Sequence, residues 1–136
     1  MLSIHEFREQ FMHGCFDSNL ILEKYGDYFR DNAQVGDGVT VHLWSDAHAY
    51  TIIRRSAKSL TLRRCKATLI EGWKPEIIPG GFAGHCINQE EQEYTYEEDV
   101  NGEIVIAHWS QKKHGFYVQR REYVSPGRRE YYDYNF

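Results

Sequence analysis

Apolar residues recur at near-helical spacing at the start of the chain, where Ile4, Phe7, Phe11 and Met12 follow Ser3. Glu6 stands three residues after Ser3, the arrangement of a capping box, and Gly14 ends the segment. Asp17 or Ser18 then caps a second helix, in which Leu20, Ile21, Leu22, Tyr25 and Phe29 form a broad apolar stripe that runs out near Asn32. From Val35 the period changes from about 3.6 to 2. Val39, Val41 and Leu43 alternate with Thr40, His42 and Trp44, which predicts a strand entered through Gly36-Asp37-Gly38. Ser45-Asp46-Ala47 reads as a tight turn, and Tyr50–Arg54 and Leu60–Arg63 add two further strands of a meander around Ser56–Ser59.

Residues 70–89 break this pattern, because Pro75, Pro79, Gly72, Gly80, Gly81 and Gly84 deny regular pairing. A loop of that length in a compact domain usually carries function, so Ile77–Ile87 is a candidate lid or contact loop. Beyond it, Tyr94–Tyr96 and Ile104–Trp109 bracket Asp99-Val100-Asn101-Gly102, whose Asn-Gly pair predicts a second hairpin. Phe116–Val118 adds another strand, and alternation in the aromatic tail predicts a last one that buries Tyr132, Tyr134 and Phe136 together. The expectation is one α+β domain spanning residues 1–136, with a helical part at 1–34 and a β-rich part at 35–136. Two short N-terminal helices precede a five- or six-stranded, strongly bent antiparallel sheet or small SH3-like barrel, a closure that removes unpaired edges.

Composition narrows the function classes. The 136 residues carry a net charge of −4, which excludes indiscriminate coating of nucleic acid but leaves room for a local basic face. No apolar run approaches the roughly 18 residues of a membrane helix, and MLSIHEFREQF lacks the features of a secretion signal, so no membrane contact and a cytoplasmic location are expected. Three cysteines, Cys15, Cys65 and Cys86, form no CxxC pair and are read as reduced thiols.

Charge is strongly segregated. Residues 35–70 hold six bases against two acids, and residues 71–104 hold nine acids against one base. Arg54, Arg55, Lys58, Arg63, Arg64 and Lys66 cluster near one predicted turn. With Trp44, His48 and Tyr50 to stack on bases, Arg54 and Arg63 make a candidate nucleic-acid or nucleotide patch. The same cations can instead pair across the sheet with an acidic hairpin formed by Glu90, Glu91, Glu93, Glu97, Glu98 and Asp99. That acidic stretch can also imitate nucleic-acid phosphates and enter a basic channel of a partner.

Catalytic and metal signals are weaker. His13 with Cys15 and His85 with Cys86 are the only close ligand-type pairs among seven histidines, and neither is a tetrahedral set alone. Cys86 could be a nucleophile only with a base supplied from elsewhere, since its neighbour His85 points away on an extended chain. Asp46 and His48 could form an acid–histidine couple, although at a turn such an aspartate more often caps backbone. Gly80–Gly84 lacks the GK[ST] end of a phosphate-binding loop. No enzyme activity, metal or cofactor is expected.

Four stretches, Val35-Gly-Asp-Gly-Val-Thr, Trp44-Ser-Asp-Ala-His-Ala-Tyr-Thr, Lys66-Ala-Thr and Gly127-Arg-Arg-Glu-Tyr-Tyr-Asp-Tyr-Asn-Phe, resemble small proteins encoded by bacteriophages and mobile elements. The resemblance covers roughly residues 35–136 and transfers no functional residue, although it draws attention to Trp44, Asp46, His48 and Tyr50. It implies an accessory protein that inhibits a host defence effector or nuclease complex, as anti-CRISPR proteins do, here through the acidic surface and the loop 77–87. The alternative is a small-barrel nucleic-acid or nucleotide binder.

Overall fold

The computed structural model describes residues 1–79 and 84–135. Among them the chain forms helices α1 (Ile4–Phe11) and α2 (Ser18–Asn32), then strands β1 (Gly38–His42), β2 (Ala47–Arg55), β3 (Ser59–Arg64), β4 (Lys66–Leu69), β5 (Ile77–Ile78) and β6 (His85–Cys86). A 3₁₀ turn at Gln89–Glu91 leads to β7 (Tyr94–Glu97), β8 (Ile104–Ser110), β9 (Gly115–Tyr117) and β10 (Val124–Pro126). Neither helix is long and apolar enough to cross a membrane.

Both helices start where their caps predict. Ser3 and Glu6 exchange reciprocal hydrogen bonds at α1, and Asp17 accepts from the N–H groups of Asn19 and Leu20 at α2. The far end of α2 is closed from outside, because Arg55 Nη1 donates to the carbonyls of Arg30 and Ala33 at 2.8 and 2.6 Å. Cationic donors suit that end, where the helix presents unpaired carbonyls.

Six strands form one antiparallel sheet in the order β10-β1-β2-β3-β8-β9. Its two end strands are joined by a Tyr117–Tyr123 bridge and by Val118 N–H to Glu122 O, so the sheet nearly closes into a barrel. The first meander is as predicted, with a bulge between Ile52 and Arg54 that sharpens the bend of β2. The interior is filled by Val39, Val41, Tyr50, Ile52, Leu60, Leu62, Ala107, Phe116 and Val124. Phe29 of α2 plugs this core edge-on against Phe116, with ring centroids 5.9 Å apart. The approach is close enough that a Cβ on Gly26 would lie 2.0 Å from the carbonyl oxygen of His114.

The hairpin predicted at Asn101-Gly102 does not form. The turn itself is present, with Gly102 N–H bonded to Asp99 O, but it passes the chain from one sheet to another. β7 pairs with β4 in a separate two-stranded ribbon, whereas β8 joins β3. The reason is facial patterning: Ala67, Leu69, Tyr94 and Tyr96 are half-buried on one side of the ribbon, while Lys66, Thr68, Thr95 and Glu97 face water. The ribbon therefore buries its own apolar side, which a simple β7–β8 hairpin would leave uncovered.

The tail also departs from expectation. The strand that completes the sheet is Val124–Pro126, and residues 127–135 run on as a strap that bridges to Ala47 at Tyr131. Tyr132 is exposed, and Tyr134 packs against Trp73 and Tyr132 outside the core. Phe136 lies outside the described residues, as do positions 80–83 of the glycine-rich loop. Flanking those positions, Ile77 and Ile78 pair with Cys86 and His85.

Candidate binding surface

Alternation along β1 and β2 sends Val39, Val41, Tyr50 and Ile52 inward, so Thr40, Ala49 and Thr51 point to the outside of the barrel. Yet these outer residues are buried, because the strap and the β4–β7 ribbon cover them. Polar groups buried there need partners. Thr40 donates to Gly127 O at 2.6 Å, and Thr51 donates to Glu98 Oε1 at 2.6 Å.

Glu98 is the hub of this layer. Arg128 Nη2 reaches Glu98 Oε1 at 3.0 Å and Thr51 Oγ1 at 2.8 Å, while Arg63 Nη2 reaches Glu98 Oε2 at 3.2 Å. The Thr51 hydroxyl first, then the two arginines, hold the Glu98 carboxyl below its ordinary range against an opposing desolvation effect. A second fork runs from Arg64 to both oxygens of Glu130, at 2.8 and 2.6 Å, and Glu130 also accepts from Ala49 N–H. The sequence motif that closes the chain, Gly127-Arg-Arg-Glu, thus supplies a cation and an anion that lock the strap across β2 and β3.

This geometry redistributes the predicted sites. The six acids do not form a hairpin, since Glu90 and Glu91 sit on the 3₁₀ turn and Glu97 ends β7. Glu98 is consumed by the clamp, Asp99 caps its own turn through Asn101 N–H, and Glu90 accepts from the Tyr131 hydroxyl. Among the described residues, Glu91, Glu93 and Glu97 enter no ion pair and are exposed, which leaves an outward ridge of three carboxylates. Gln89 and Gln92 fasten that ridge to the strap by accepting from Tyr134 N–H and Tyr132 N–H.

The basic residues are likewise divided. Arg63 and Arg64 are taken by Glu98 and Glu130, Arg55 caps α2, and Arg54, Lys58 and Lys66 remain exposed. Tyr50 is only 5% exposed, with its hydroxyl near Glu103, whereas Trp44 is 77% exposed at the β1–β2 turn. His48 lies opposite Val41 on the inward side of β2. Trp44, His48, Tyr50, Arg54 and Arg63 therefore do not share one exposed face.

No family model matches the chain, and no curated protein or solved structure does. The site must be read from its own chemistry.

Cys86 is 2% exposed and donates to Asn88 Oδ1 at 3.3 Å, while its backbone is paired with the Asn135 amide. His85 is exposed on the other side of the strand. Asp46 accepts from Asp133 N–H, a backbone donor of the strap 87 residues away and not one of its own turn. Among the described residues no three His, Cys, Asp or Glu side chains are grouped to hold a metal ion.

Of the surface concavities, two share His42 and Tyr123 in their walls. A groove of about 580 Å³ lies between α2 and the β9–β10 seam. Its ammonium and imidazole groups are engaged: Lys113 bonds Arg120 O, His114 faces Asp27 at 3.3 Å, and His42 Nε2 meets Ser125 Oγ at 2.7 Å. The second, of about 380 Å³, opens beside the β1–β2 turn and includes Trp44, Asp46, Glu90, Tyr123, Arg129 and Tyr131. Sequence reasoning singled out Trp44, Asp46 and Glu90 but missed Tyr123 and Arg129. Their only sequence signal is aromatic and basic richness after residue 116, which does not show that the strap returns to β1.

Proposed function

We propose that this chain is a binding protein whose acidic ridge, Glu91, Glu93 and Glu97, engages a basic, nucleic-acid-handling partner. In this reading it is a mobile-element accessory protein that inhibits a host defence effector, with the small barrel, read as SH3-like, acting as a rigid scaffold. The observation that carries the proposal is the ridge itself. Three exposed carboxylates in no ion pair, with Lys66 opposite Glu97 across the ribbon, are held on that ribbon and a 3₁₀ turn that the strap fastens to the barrel. Preorganised like charge raises association rates with an oppositely charged partner and suppresses wrong ones.

The nucleic-acid alternative has less support, because Arg63 is neutralised by Glu98 and Tyr50 is buried. The test uses tagged wild type and the triple variant Glu91→Lys, Glu93→Lys, Glu97→Lys as baits in extract from bacteria that carry defence nucleases. Wild type is expected to retain a stoichiometric basic nuclease or effector complex and to inhibit that species once purified, and the triple variant to do neither. Equal retention and inhibition by both baits would remove the ridge from the contact, and recovery of oligonucleotide without protein would favour the alternative.

A further inference from the structure

The cleft beside the β1–β2 turn combines three features that the ridge alone does not have. It is concave, its walls are aromatic, and its carboxylates have spare acceptor capacity. Trp44, 77% exposed, offers an open indole, and Tyr123 is 45% exposed with one ring face stacked on His42 at 4.2 Å and 7°. Asp46 Oδ1 accepts from Asp133 N–H and Glu90 Oε1 accepts from the Tyr131 hydroxyl. Among the described residues, Asp46 Oδ2 and Glu90 Oε2 have no protein donor. One cation, Arg129, already lies over the Tyr131 ring with its guanidinium carbon 5.4 Å from the centroid, so one wall of the cleft already holds a guanidinium within the molecule. Two carboxylates against that one arginine leave the cleft short of positive charge.

From this arrangement we infer that the cleft is a receptor for an arginine side chain of the partner, stacked on Trp44 and Tyr123 and hydrogen-bonded to Asp46 and Glu90. This deepens the reading of a basic partner and rests on it. Guanidinium is the favoured occupant for two reasons. Its planar fork matches carboxylate oxygens two at a time, and it stacks on aromatic faces with a smaller hydration penalty than an ammonium. A phosphate-bearing nucleotide could use the same rings but would meet two carboxylates in its path.

The test records ¹H–¹⁵N spectra of the full chain during titration with N-acetyl-arginine methylamide, its citrulline counterpart and AMP. The Trp44 indole N–H, assigned with Trp44→Phe, is the reporter. A saturable shift is expected with the arginine probe, and a much smaller one with the neutral citrulline probe. Asp46→Asn with Glu90→Gln keeps both internal acceptors and is expected to weaken the arginine probe roughly fivefold, the loss of two exposed charge pairs. Saturation by AMP but not by arginine, or equal binding of arginine and citrulline, would overturn the inference. So would the absence of any shift. The two proposals fail separately: ridge reversal that abolishes partner capture while the arginine probe leaves Trp44 unmoved sinks only the cleft. A saturable arginine shift combined with undiminished capture by the ridge variant sinks only the ridge.

Discussion

Replacing Glu98 with glutamine removes one charge from the layer that fastens strap and ribbon to the barrel, and nearly nothing else. The Thr51 hydroxyl still finds an oxygen acceptor, so the loss falls on the ion pairs to Arg63 and Arg128, at 3.2 and 3.0 Å. The Glu98 side chain is 48% exposed, which screens both pairs. At roughly 0.2–1 kcal/mol for each exposed pair, plus a similar amount for the weakened charge-assisted bond from Thr51, the loss comes to about 1–2 kcal/mol. The pH dependence is the sharper signature. Because the folded carboxyl is held below its ordinary value, the unfolded chain takes up the proton more readily. The stabilisation is therefore complete above the ordinary glutamate range and fades as pH falls through the lower, folded value. Urea unfolding followed by tryptophan fluorescence should show a constant gap between wild type and Glu98→Gln from pH 8 to about 5, closing progressively below. Glu97→Gln, one residue away on the outward face, should stay within about 0.5 kcal/mol of wild type. Equal losses for the two variants, or a Glu98 gap that persists unchanged to pH 3, would refute the assignment of Glu98 as the hub.

Gly26→Ala should destabilise by about 1–3 kcal/mol in thermal or chemical unfolding, because its methyl meets the backbone carbonyl of His114 and α2 must lift from β9. Wild-type stability in that variant would mean that helix and barrel are not in close contact there. Arg55→Lys should cost about 1 kcal/mol, since an ammonium on a shorter stem must replace the Nη1 that holds two carbonyls at the end of α2 and gives up the bond from Nε to Ser56 O, and amide exchange should rise in the last turn of that helix. Phe116→Ala should cost about 3–5 kcal/mol as a fully buried ring packed against Phe29 and Trp109, whereas Ile106→Ala on the exposed side of β8 should cost far less. Similar losses at both positions would contradict the assignment of inside and outside.

Local signals were legible wherever a residue speaks for its own neighbourhood. Ser3 with Glu6, Asp17, and the alternation from Val39 to Leu62 specify two helix starts and a meander, and the structure has each of them. What stayed hidden depends on faces that meet across long sequence distances. Thr40 and Thr51 read as the polar, solvent side of their strands, yet both are buried, because residues 127–135 return to cover them. Asn101-Gly102 encodes a turn but not which strands flank it, and the choice of β4 for β7 is set by apolar surface shared at a distance. The acidic stretch was legible as charge and illegible as shape. Nothing in Glu97-Glu98-Asp99 announces that one of three adjacent acids is the anion of a half-exposed hub, one a turn cap and one an exposed group in no ion pair.

The strap ties these roles together. Its Arg128 and Glu130 close the outer layer, while Tyr131, Tyr132 and Tyr134 hold the 3₁₀ turn and the start of the ridge through Glu90, Gln92 and Gln89. Tyr131 does this as a neutral donor, and burial and then the bond to Glu90 push its phenol further up, to about 12. The position of the ridge is thus set by a segment that starts about thirty residues later in the chain and carries none of its charge. A substitution in the strap, such as Glu130→Gln, which halves the fork to Arg64, should therefore weaken partner capture even though Glu91, Glu93 and Glu97 are untouched. Binding that depends on the strap as well as on the ridge would distinguish a preorganised surface from a loose cluster of acids. For a loose cluster, only the number of carboxylates would matter.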